Sequence, residues 1–96
     1  MAETASTHYV LISRYTAEQE RIEELVPAHR AYLHRQFASG LFLASGRRVP
    51  WTGGVILAQG DRADVEAAVA EDPFTVEGAA ETEIVEFEVL FGRLGS

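Results

Sequence analysis

The chain has 96 residues, a net charge of −7 and no cysteine. That length makes one domain, residues 1–96, whose modest core buries roughly 65% of the unfolded surface, and a hydrophobic content of 47% argues against disorder. Disulfides and thiolate nucleophiles are excluded, the acidic balance disfavours nucleic acid and anionic membranes, and no lysine exists to form a Schiff base, since all 8 basic residues are arginine.

Residues 1–7 are small and polar and read as a frayed tail. Met1-Ala2-Glu3-Thr4 has neither the basic region nor the apolar core of a signal peptide, and no apolar run approaches the ~20 residues of a membrane span, so a cytoplasmic protein is expected. His8 to Tyr15 alternates as a first strand. Val10, Ile12 and Arg14 lie on one face and Tyr9, Leu11 and Tyr15 on the other, so both faces call for cover.

Thr16 followed by Gln19 fits a capping box, which starts a helix. The helical pattern runs to about Ser39, with a break expected near Leu25-Val26 because Pro27 cannot donate to the ladder. Its apolar stripe is Val26, His29, Leu33 and Phe37, with Tyr32 beside it; Arg30 and His34 lie off it. Gly40 stops the helix. Leu41–Ala44 reads as a short strand, 45–54 as a loop, and Val55–Ala58 as a fully apolar, central strand. Asp61 caps a helix over Arg62–Glu71, which Pro73 ends. Glu81–Phe91 is the last strand, with Val85, Phe87, Val89 and Phe91 on one side and 92–96 as a tail.

This order, β-α-β-β-α-β, is the ferredoxin-like arrangement: an α+β domain with two helices on one face of a four-stranded antiparallel sheet. The other face is also apolar and would be an unusually large wet patch on a monomer, so a homodimer packed sheet to sheet is expected.

In chain order stand Pro27-Ala28-His29-Arg30-Ala31-Tyr32-Leu33, Ser39-Gly40-Leu41, Ala44-Ser45-Gly46, Gly53-Gly54-Val55 and Glu71-Asp72-Pro73-Phe74. With these motifs in this order, the sequence resembles the YCII-related family over nearly its whole length. The resemblance implies a dimeric α+β barrel of ferredoxin-like subunits, with the family's site histidine and aspartate falling on His29 and Asp72. It also implies kinship with enzymes that remove chloride from chlorinated hydroxyquinol rings and with the muconolactone isomerase fold. The chain departs from the family pattern after Ser45-Gly46, where Arg47-Arg48 stands in place of a frequent proline.

By position alone His29 reads as a packed histidine as readily as a site residue, and Asp72 as a helix-end turn residue; the resemblance turns both toward chemistry. A histidine titrating near neutral pH beside a carboxylate that fixes its tautomer and holds its charge is suited to general acid–base work. Candidate ligand contacts are Arg14, an anion clamp at the end of strand one, Ser45 and Gly46, offering a hydroxyl and open amides, and Phe74 beside Asp72. Arg47 and Arg48 read as a solvated loop rather than an anion site, and Trp51 as a pocket wall or a dimer seam. Ser45, His29 and Asp72 lack the Gly-x-Ser-x-Gly elbow of a hydrolase. His8 and His34 have no zinc-ligand spacing with His29, so no metal is expected, and no cofactor fingerprint is present. Two functions follow: a small enzyme driving elimination, isomerisation or hydrolysis of a small polar substrate, aromatic or not, by proton transfer, or a non-catalytic module that binds a small metabolite in the same cleft.

Overall fold

A computed structural model describes residues 6–94. The elements are β1 (Ser6–Tyr15), α1 (Gln19–Ala38), β2 (Phe42–Arg47), β3 (Gly54–Gln59), α2 (Arg62–Glu71), α3 (Pro73–Val76) and β4 (Ala80–Val89). The strands form one antiparallel sheet in the order β2-β3-β1-β4, the ferredoxin-like topology. No helix among the described residues is long and apolar enough to cross a membrane.

Strand alternation sets the layers. Tyr9, Leu11, Ser13 and Tyr15 of β1 share the helix-covered face with Ile56 and Ala58 of β3 and Ile84 of β4, by their register. Two apolar clusters form under the helices. Tyr9, Leu11, Tyr32, Phe42, Ala58, Val65 and Ala68 make one. Ile22, Leu25, Phe74, Ala79 and Ala80 make the other, with Tyr15 and Trp51 packed against it. The Tyr32 hydroxyl donates to the Ala68 carbonyl at 2.7 Å and so ties α1 to α2.

Several expectations need correction. Helix α1 runs unbroken through Pro27. Glu23 and Pro27 are both exposed, so water can replace the missing N–H on the carbonyl four residues back, while Ile22, Leu25 and Tyr32 anchor the turns on either side. Thr16 does not cap the helix: Glu18 is the N-cap residue, and the Thr16 hydroxyl donates instead to the Gly78 carbonyl at 3.0 Å. The buried stripe is rotated toward Ile22, Leu25 and Tyr32, which leaves Phe37 exposed at 39% with only its ring edge against Phe42.

Strand β2 continues through Ser45, Gly46 and Arg47, because all three pair with β3, opposite Ile56, Val55 and Gly54. The register slips between Phe42 and Ala44, where one extra residue bulges out of β2. Ser6 and Thr7, expected in the tail, belong to β1 and pair with Val89 and Glu88; residues 1–5 lie outside the described residues. Strand β4 ends at Val89, and Phe91 beyond it is exposed. The tail expected at 92–96 is described only to 94, as bends and a turn. The short α3 is an addition: Pro73 ends α2 and, at the next helix's first position, starts α3.

Candidate functional site

The site begins at Asp72, the junction of α2 and α3. One carboxylate oxygen, Oδ1, accepts the Phe74 N–H at 2.8 Å and caps α3. The other, Oδ2, faces His29 Nε2 at 3.5 Å. His29 reaches it from α1, four residues after the buried Leu25 and three before the buried Tyr32, so all three lie on the inward side of the helix. The separation is an ion-pair distance, longer than the ~3.2 Å limit of a well-formed hydrogen bond; such contacts commonly tighten when a ligand closes the site.

Aromatic rings hold this pair. The His29 ring stacks on Phe74 with centroids 4.3 Å apart, and Tyr32 lies 5.7 Å away. Phe74 meets Tyr15 edge to face at 5.4 Å. The Trp51 indole N–H donates to the Tyr15 hydroxyl oxygen at 2.8 Å, and the Arg47 guanidinium lies 3.9 Å over the indole ring. Burial pushes the Tyr15 phenol above its ordinary pKa, opposed by the Trp51 hydrogen bond and the Arg47 charge. Burial, with the Asp72 and Glu71 charges, raises the Tyr32 phenol further.

These groups surround a cleft of about 170 Å³ between α1 and the sheet. That is close to the ~150 Å³ that accommodates one benzene ring. Leu11, Ser13 and Ile56 form its floor, and β2 contributes Ser45, Gly46 and Arg47. Gly53-Gly54 brings the chain close beneath it. A Cβ at Gly53 would overlap the Ser13 carbonyl oxygen, and the Gly54 N–H donates to the Ser13 hydroxyl at 2.9 Å.

His29, Asp72, Ser45, Gly46 and Phe74 therefore share one cleft. Arg14 does not join them. It projects from the opposite face of β1, 61% exposed, and pairs with Glu81 at 2.6 Å. Its neighbour Tyr15 holds the inward position, as the alternation of β1 indicates when it is followed to the strand's last residue. Arg47 lines the cleft rather than lying in a solvated loop, and Trp51 forms cleft wall. Ser45 makes no hydrogen bond to His29 among the described residues, so no serine triad is assembled. Nor do any three His, Cys, Asp or Glu side chains there cluster to hold a metal ion.

The comparisons bear on the family and the fold of this domain. Residues 7–88 match the YCII-related domain, and the chain belongs to that family. Among solved structures, the fold is similar to 5-chloro-2-hydroxyhydroquinone dehydrochlorinase from Burkholderia phenoliruptrix, in complex with 2,5-dihydroxybenzoquinone. The two share 18% identity at a TM-score of 0.70, over 88% of this chain and 95% of that one. No curated protein matches the sequence significantly.

Proposed function

We propose that this protein is a small-molecule enzyme in which His29 transfers a proton and Asp72 holds the resulting imidazolium. The observation that carries this reading is the His29–Asp72 pair facing a cleft of single-ring size. The imidazole takes a proton from the substrate, the carboxylate beside it faces the positive charge that forms, and the proton is returned to the product or to water. Elimination, isomerisation and hydrolysis all fit such a group. The similar fold of a dehydrochlorinase favours elimination, in which a base accepts a proton as chloride departs with the bonding electrons.

The test is turnover of hydroxylated single-ring substrates, 5-chloro-2-hydroxyhydroquinone among them, followed by ring absorbance and chloride release. Wild type should accelerate the reaction, and His29→Asn should lose roughly 10²–10⁴-fold while keeping its fold. Normal turnover in a variant with a lowered melting temperature would make His29 a packing residue. Ring binding without turnover in wild type would make the protein a binding module.

The reading includes a homodimer. Val10, Ile12, Leu57, Val85 and Phe87 share the face away from the helices, and Val85 is 38% exposed. Packed sheet to sheet, two copies should bury more than the ~1,000 Å² of a stable contact. Sedimentation at micromolar concentration should give a dimer; a monomer there rejects it.

A further inference from the structure

We propose that the cleft takes an anionic single-ring ligand, whose charged oxygen is received by the Tyr15 hydroxyl and the Arg47 guanidinium. This rests on the proposed function and names its class of substrate.

The first observation is the Tyr15 proton. A phenol donates one hydrogen bond and accepts others. The oxygen of Tyr15 already accepts the Trp51 N–H, and an indole can only donate. The Tyr15 proton must therefore point elsewhere, and the hydroxyl donates no hydrogen bond among the described residues. Tyr9 and Tyr32 differ: their hydroxyls donate to the carbonyls of Gly60 and Ala68, at 2.9 and 2.7 Å. Of the three tyrosines, Tyr15 is the one that presents an unused donor to the cleft it lines, and burial keeps it protonated at neutral pH.

The second observation is charge. Arg14, Arg21 and Arg62 are each paired with glutamates, as expected where 15 acidic residues face 8 basic ones. Arg30 and Arg47, which line the cleft, have no carboxylate within ion-pair distance among the described residues. Arg47 is fixed over Trp51, the same indole that binds Tyr15, so guanidinium and phenol serve one end of the cleft. The one carboxylate lining the cleft, Asp72, is occupied by the Phe74 N–H and His29. An acidic molecule thus carries a locally positive recess. Phe74 lies between His29 and Tyr15, so a ligand ring can meet the histidine with one edge and present an oxyanion to the phenol with another.

Calorimetric titration at neutral pH tests this with two rings, 2,5-dihydroxybenzoate, which is anionic, and hydroquinone, which is neutral. Wild type should bind the anion roughly ten-fold or more tightly, as charge-assisted hydrogen bonds are the stronger ones. Tyr15→Phe and Arg47→Gln should each weaken the anion more than hydroquinone, and so reduce or abolish that preference. Arg47→Lys, which keeps the charge, should restore part of it. Melting temperatures check that each variant folds. His29→Asn should retain the preference, which separates the two readings. A preference without turnover in any hydroxylated ring removes the proposed function and leaves this inference standing; turnover without a preference does the reverse. Equal affinities, a preference untouched by both substitutions, or binding of neither ring overturns the proposal.

Discussion

Tyr9 and Tyr15 stand on the same face of the same strand, near its two ends. Around Tyr9 every demand is met internally: the ring is 2% exposed and the hydroxyl donates to the Gly60 carbonyl. Leu11, Tyr32, Phe42 and Ala58 complete a closed core there. Around Tyr15 the same strand, one helix and the same kinds of aromatic ring leave a cleft, and the polar groups lack full sets of partners. The closed end buries its rings and stabilises the fold, and the groups left open at the other end are the ones a ligand can engage.

Substitutions at the two ends should separate these roles. Phe42→Ala empties the closed end, where the ring is 2% exposed and meets Tyr32 edge to face. It should lower unfolding free energy by about 3–5 kcal/mol in denaturant titration. A loss under 1 kcal/mol would mean that the closed end does not carry the fold. Asp72→Ala, at the open end, removes both the α3 cap and the partner of His29. It should cost about 1–2 kcal/mol together with most of the activity. Asp72→Asn keeps a good capping side chain without the charge, so its melting temperature should stay near wild type while turnover falls. Equal stability losses for the two variants would show that the carboxylate charge, not the cap, supports α3.

Tyr32→Phe leaves the Ala68 carbonyl without its donor and should cost about 1–2 kcal/mol, with turnover intact. A turnover defect in this variant would extend the open end across the helix. Arg62→Gln breaks the pairs with Glu66 and Glu86, both on the surface. It should shift stability by less than ~1 kcal/mol, and less still at high salt.

Local patterns made much of the fold readable. The bounds of α2 follow from Asp61 and Pro73, and the alternation of β1 assigns Tyr15 to the inward face. The continuity of α1 was hidden because Pro27 is a strong local breaker, overridden by packing of Ile22, Leu25 and Tyr32 on distant parts of the chain. The extent of β2 was hidden for a similar reason. Ser45-Gly46-Arg47 has little intrinsic strand preference and is held by pairing with β3. His29 and Asp72 were singled out by resemblance, since neither residue's position alone separates packing from chemistry. The Tyr15–Trp51–Arg47 arrangement joins residues 36 apart in sequence through side chains, and no spacing rule announces it.

The bulge in β2 decides which chemistry the cleft contains. Phe42 lies opposite Ala58 on the inward face, and if the pairing ran on from there without the bulge Ala44 would fall opposite Ile56, placing Ala44 and Gly46 inward. With it, Ser45 lies opposite Ile56 and Arg47 opposite Gly54, so a hydroxyl and a guanidinium face the cleft instead. A one-residue slip in the pairing exchanges a bland wall for a reactive one without altering any side chain. Family members of the same length here that paired this stretch without the slip would keep the same scaffold and the same histidine, yet offer their ligands a different surface.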